Sequence, residues 1–132
     1  MDREELKVRT KEFSLRVMKL VRQLPKDMPG RVLANQLMRS ATSVGANYRS
    51  ACRGRSRAEF VAKLGIVLEE ADESAHWLEL IMDDGMLPRP RVKPLCLEAD
   101  EQCAIFYSTI QSTRRKMPPS QSSTRQVPND KS

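Results

Sequence analysis

A single histidine and three cysteines, with no Cys-x-x-Cys pair among them, are all that this 132-residue sequence offers a soft or transition metal. The only Glu-x-x-His element is Glu73-Ser-Ala-His76. A di-iron helical bundle needs that element on two helices, so the second copy cannot exist. The odd cysteine count closes no disulfide framework and fits a reducing cytoplasm. Glycine-rich phosphate loops and the Gly-x-Ser-x-Gly elbow are also missing, and Cys52, Cys96 and Cys103 stand beside no histidine or aspartate that would activate them. The expectation is a protein that is not an enzyme, with no cofactor and no metal.

Long apolar runs are lacking too. Nothing approaches the roughly 18 consecutive apolar residues that cross a bilayer. The opening Met1-Asp-Arg-Glu-Glu-Leu-Lys is charged where a secretory signal would be apolar. A soluble, cytoplasmic protein with no membrane partner is expected. Aromatics make up only 5% of residues, against 39% hydrophobic and 30% charged, a balance typical of bundles built on Leu, Val, Ile, Met and Ala.

What the chain does contain is helical periodicity. Leu6, Phe13, Val17, Leu20, Val21 and Leu24 recur at spacings of three and four and predict a first helix over about 4–24. Pro25 and Pro29-Gly30 break it. A second helix is predicted over 31–52, with Val32, Leu33, Leu37, Ala41, Val44, Tyr48 and Cys52 facing inward. Its middle, Ser40-Ala-Thr-Ser-Val-Gly-Ala46, is crowded with small residues that let a neighbour approach closely. Gly54 marks its end, and Ser56 with Glu59 has the spacing of a capping box for a third helix over 57–84. Phe60, Leu64, Val67, Leu68, Ala71, Ala75, Leu78, Ile81 and Met82 carry that helix to Asp84-Gly85. Leu87-Pro-Arg-Pro-Arg reads as a rigid connection to a fourth helix over 92–116, whose stripe is Val92, Leu95, Ala99, Cys103, Phe106 and Ile110. Residues 117–132, rich in Pro, Ser, Thr and Gln, are expected to be a disordered tail.

Four such helices joined by short links predict an all-α, up-down-up-down antiparallel bundle over 1–116. That topology sorts the charges. The chain carries a net +6. The turn between helices two and three falls at the same end as the start of helix one and the close of helix four. Arg49, Arg53, Arg55 and Arg57 therefore come near Arg3, Lys7, Arg114, Arg115 and Lys116, and one pole is basic. Guanidinium groups give bidentate phosphate contacts, so this pole is the candidate nucleic-acid-binding site; a solvated turn paired with helix-three carboxylates is the competing reading. Helix three itself carries Glu69, Glu70, Asp72, Glu73, Glu79, Asp83 and Asp84 in its second half. Acids near a helix C-terminus oppose its dipole, which calls for compensation from Arg89, Arg91 and Lys93 or from another subunit. The polar residues Asn35, Gln36, Ser40, Thr42, Ser43 and Asn47 are either a ligand site or mutually satisfied packing groups. Trp77 is either an interface anchor or a partly buried core residue.

Leu24-Pro25, Gln36-Leu-Met-Arg-Ser-Ala-Thr-Ser-Val-Gly-Ala-Asn47, Arg55-Ser-Arg-Ala-Glu-Phe60 and the helix over 64–80 resemble the proteins encoded in intervening sequences of bacterial 23S ribosomal RNA. The same family includes the accessory variability proteins of diversity-generating retroelements. The resemblance covers residues 10 to 112 and implies a non-enzymatic four-helix bundle assembled as a ring-like homopentamer with a basic surface. Its retroelement members bind nucleic acid and a reverse transcriptase. It places Arg39, Ser40, Ser43 and Asn47 in the packed framework, with Arg49, Arg53, Arg55 and Arg57 left for contact with a polyanion or partner. Many members have Ile/Ala-Glu-Gly after the asparagine, where this chain has Tyr48-Arg49-Ser50-Ala51, so its pole is more basic than theirs. The expected function is that of an RNA-binding or ribonucleoprotein accessory protein; the alternative is a structural adaptor for a protein partner.

Overall fold

Three of the four helices begin at a residue whose side chain accepts from a first-turn amide, Asp2, Asp27 and Ser56. In the computed structural model, which describes residues 1–119, α1 spans Arg3–Val21. Asp2 accepts from the Glu5 amide at 2.8 Å and donates its own amide to Glu5 Oε1 at 2.9 Å, a complete capping box. α1 stops one turn earlier than its apolar stripe predicts. Pro25 disfavours helical geometry at the residue before it, so Gln23 and Leu24 close tight turns onto Leu20 and Val21 while Leu24 stays buried.

α2 spans Met28–Cys52, beginning before Pro29-Gly30 rather than after them. Proline in a first helical turn gives up a donor that has no intrahelical acceptor anyway, and Asp27 accepts from the Gly30 amide at 3.0 Å. Val32, assigned to the inward stripe from the sequence, is 50% exposed; the buried line runs Leu37, Ala41, Val44, Tyr48. α3 spans Arg57–Asp84. Ser56 Oγ accepts from the Glu59 amide at 3.1 Å, but Glu59 reaches back to the Arg55 amide at 2.8 Å, one residue beyond the Ser56 amide that a reciprocal box would use. Gly85 ends α3 at φ 77°, the left-handed conformation that glycine adopts without steric cost, and the Met86 amide closes onto Ile81 at 3.2 Å.

α4 spans Arg89–Arg115, so the Pro-Arg-Pro stretch is not a linker: Pro88 is the cap and Pro90 lies in the first turn. Met117, assigned to the tail from its polar surroundings, is only 8% exposed and joins the core. The rest of the expected tail, 120–132, lies outside the described residues.

The three short links make successive helices antiparallel, and α1 closes the bundle against α4 along the sparsest of these four helix contacts. The core is in two halves. One gathers Phe13, Val17, Leu20, Leu37, Leu78, Ile81 and Val92; the other gathers Leu6, Val44, Tyr48, Phe60, Leu64, Val67 and Phe106. On each helix a buried polar residue falls between them: Thr10, Ser40, Ser74 and Gln102. Ser40 and Ser74 bond each other at 2.8 Å and Thr10 donates to the Leu6 carbonyl at 2.9 Å. The small-residue run of α2 serves the close approach predicted for it, since a Cβ on Gly45 would stand 3.4 Å from Thr10 Oγ1.

Candidate nucleic-acid interface

The second core half lies under the pole where α1 and α3 begin and α2 and α4 end. Two helix N-termini and two C-termini meet there, so the macrodipoles largely cancel and the charge of this end is set by side chains. Arg53 caps α2, Arg55 occupies the turn, Arg57 opens α3, and Arg114, Arg115 and Lys116 close α4. The predicted convergence is therefore present, with a finer division than the sequence showed. Arg55, Arg57 and Lys116 line a cleft of about 330 Å³ together with Arg3, Ser56 and Phe60. Arg49 lies instead over a separate, smaller groove between α1 and α2, shared with Lys7 and Lys11.

Two of the cleft cations are held in place. The Arg3 guanidinium sits 4.4 Å above the centre of the buried Phe60 ring and donates to the Cys52 carbonyl at 3.4 Å, tying the start of α1 to the end of α2. Arg57 donates to the Lys116 carbonyl at 2.8 Å, closing one of the orphan acceptors of α4. Phe60 and Arg3 carried no functional weight in the sequence beyond core and charge. Their stacking is a contact between separate helices that no local pattern encodes.

The competing reading is a solvated turn in which some of these arginines pair with acids of α3. Among the described residues, none of Arg3, Arg49, Arg53, Arg55, Arg57, Arg114, Arg115 or Lys116 is in an ion pair. The nearby carboxylates Asp2, Glu5 and Glu59 are occupied by backbone amides at the helix starts.

The acidic half of α3 lacks the compensation expected from α4. Arg91 bonds Gln23, in the link after α1, at 2.6 Å, and among the described residues only Arg39 of α2 pairs with an α3 acid, Glu73, at 3.5 Å. Glu70 bears the consequence: burial first, then the charge of Glu73, pushes its carboxyl above the ordinary range against the pull of Arg39. Its Oε1 is buried without a hydrogen-bond partner. A raised folded pKa means that ionised Glu70 costs stability at neutral pH and that acidification through the raised value recovers it. Glu70→Gln is thus expected to raise Tm by about 2 °C at neutral pH and to give no gain near pH 3.5, where the carboxyl is protonated in both states; thermal unfolding at the two pH values checks this.

The remaining sequence candidates have packing roles. Asn47 donates to the Ser43 carbonyl at 2.9 Å and Thr42 to Met38 at 2.6 Å, so the polar set of α2 largely satisfies itself. Cys96 is buried, Cys52 and Cys103 are half-buried, and burial pushes the Cys103 thiol up to about 11. Trp77 is half-buried against the first core half and tilted on His76. Among the described residues, no three His, Cys, Asp or Glu side chains gather where they could hold a metal. No helix among them is long and apolar enough to cross a membrane.

The family profile described as "23S rRNA-intervening sequence protein" matches residues 4–108. A comparison with curated proteins finds no match. Among solved structures, the chain is similar to a protein with unknown function from the S23 ribosomal protein family of Bacteroides thetaiotaomicron. The two are 34% identical, with a TM-score of 0.73, over 79% of this chain and 96% of that one. A match over most of the helical domain, joined to this likeness, shows that the chain belongs to the 23S rRNA-intervening sequence protein family.

Proposed function

We propose that this protein is a non-enzymatic RNA-binding or ribonucleoprotein accessory protein that engages phosphates through its basic pole. The observation carrying this reading is the set of arginines at one end of the bundle, none paired with a carboxylate among the described residues. The family's name, tied to a ribosomal RNA insertion, points the same way. Assembly as a homopentamer, which the family resemblance implies, repeats the pole around a ring and turns weak phosphate contacts into avidity. In this reading a reverse transcriptase is a partner of the kind that retroelement relatives serve, and the cytoplasm is the compartment.

A fluorescence-anisotropy titration against a structured RNA and a matched duplex DNA tests it. Binding is expected to persist at physiological salt and to weaken linearly in log–log form as salt rises. The double change Arg53→Glu and Arg55→Glu is expected to cost at least about tenfold in affinity and to flatten the salt dependence. Absence of binding even at low salt rejects the reading. In that event the adaptor alternative gains, for which exposed Ile66 and Leu80 on the acidic helix are the favouring feature.

A further inference from the structure

The cleft at the pole is more specialised than a charged surface. Its walls bring four cationic side chains, Arg3, Arg55, Arg57 and Lys116, into about 330 Å³, and no carboxylate lines it. They come from α1, the turn, α3 and the close of α4, so only the folded bundle assembles them. Flat backbone tracking needs no such concavity, because an internal phosphodiester carries one negative charge and continues in both directions along the strand.

Donors other than cations are present as well. Ser56 Oγ accepts from Glu59 and keeps its own proton to donate. The Glu59 amide is taken by Ser56 Oγ and the Phe60 amide by the Ser56 carbonyl, which leaves the amide of Arg57, a residue of the cleft wall, as a first-turn donor without an intrahelical acceptor. Two of the cations are fixed before any ligand arrives, Arg3 by the Phe60 ring and the Cys52 carbonyl, Arg57 by the Lys116 carbonyl. Pre-positioned groups lose little freedom on binding. Arg55 and the Lys116 side chain are exposed and free to fold over the occupant.

We propose that this cleft receives a phosphomonoester, the terminal phosphate of an RNA strand, in preference to the internal phosphodiesters that the rest of the pole contacts. A monoester carries about −1.5 to −2 charge at neutral pH and three acceptor oxygens, against the single charge of a diester. It therefore matches a site lined by four cationic residues and the hydroxyl-bearing Ser56, and a strand end can enter a concavity that a continuous backbone only crosses. The assignment rests on the polyanion reading of the pole and names what part of the polyanion the cleft takes.

The test compares one short single-stranded RNA bearing a 5′-phosphate, a 3′-phosphate or only hydroxyl ends, by anisotropy at physiological salt on the intact protein. At least one phosphorylated form is expected to bind about tenfold more tightly than the hydroxyl form. Arg55→Gln with Lys116→Gln should erase that ratio, whereas Arg49→Gln with Arg53→Gln, outside the cleft, should weaken all forms and keep it. The preference should shrink as pH falls below about 6, where the monoester dianion takes up a proton and becomes a monoanion. Equal affinity for all three forms overturns the end-binding proposal while the polyanion reading stands; no binding of any form overturns both. A nucleoside monophosphate is the competing source of the same chemistry. Competition by it at the concentration at which the phosphorylated strand binds assigns the cleft to free nucleotides and overturns the strand-end assignment.

Discussion

Gly30→Ala is expected to destabilise the bundle by about 3 kcal/mol, among the larger effects available to a single methyl group. Gly30 is buried in the first turn of α2, and a Cβ there would overlap the Pro25 carbonyl oxygen well inside van der Waals contact, with the Pro25 carbonyl carbon at 2.9 Å and Asp27 Oδ1 at 3.0 Å. Two of those obstacles are one backbone group, which cannot rotate away, and the third is the side chain that caps the helix. Relief of the clash displaces the link between α1 and α2 or breaks the Asp27 cap, itself worth about 1 kcal/mol. Gly65, in the middle of α3, is the control. A Cβ there meets nothing within 4 Å, so Gly65→Ala gains the helix propensity of alanine, up to about 1 kcal/mol. Urea unfolding of the two variants should move the midpoint in opposite directions; a neutral Gly30→Ala would show that the link relaxes freely.

Removal of Arg9 should cost about 2–3 kcal/mol, because it strands a carboxylate at the sparse contact between α1 and α4. Arg9 donates Nε–H to Glu98 Oε2 at 2.7 Å and Nη2–H to Oε1 at 3.0 Å, and it also bonds Glu101. The Glu98 side chain is only 15% exposed and receives a further bond from Gln102 at 2.8 Å. Burial alone would raise the Glu98 carboxyl, but the bonds from Arg9 and Gln102 and the Arg9 charge outweigh it and hold it below the ordinary range. A depressed folded pKa gives stability that is complete above the unfolded value, about 4.3, and is lost as pH falls through the lower folded value. Arg9→Ala is therefore expected to lower Tm by about 10 °C at neutral pH, with the gap to the unmodified protein narrowing in acid. Glu98→Leu added to Arg9→Met removes both charges and should recover much of the loss. If the double variant is no more stable than Arg9→Met alone, the cost lies in packing and not in the stranded carboxylate.

Four helices could be read from the chain because periodicity, turn residues and caps act within a few residues of one another. Ser56, Glu59, Gly85 and the stripe from Phe60 to Ile81 each stand where their local chemistry predicts. The antiparallel order followed from short links, and with it the gathering of arginines from positions as distant as Arg3, Arg55 and Arg115 at one pole. The boundary misses share a cause. Pro29, Pro90 and Gly30 read as breaks in the sequence, whereas a first helical turn tolerates proline, and whether a break or a start wins depends on the cap and on what packs above it.

Only the tertiary structure separated Arg49 from the cleft, laid Arg3 on Phe60, joined Arg9 to Glu98 across 89 positions and left Glu70 Oε1 buried without a hydrogen-bond partner. These depend on the rotation of each helix about its axis and on the reach of individual side chains. Packing of the two core halves decides both, and no spacing along the chain encodes them. The sequence by itself determined that this protein is a basic-poled helical bundle; the folded arrangement decided which cations share one cavity.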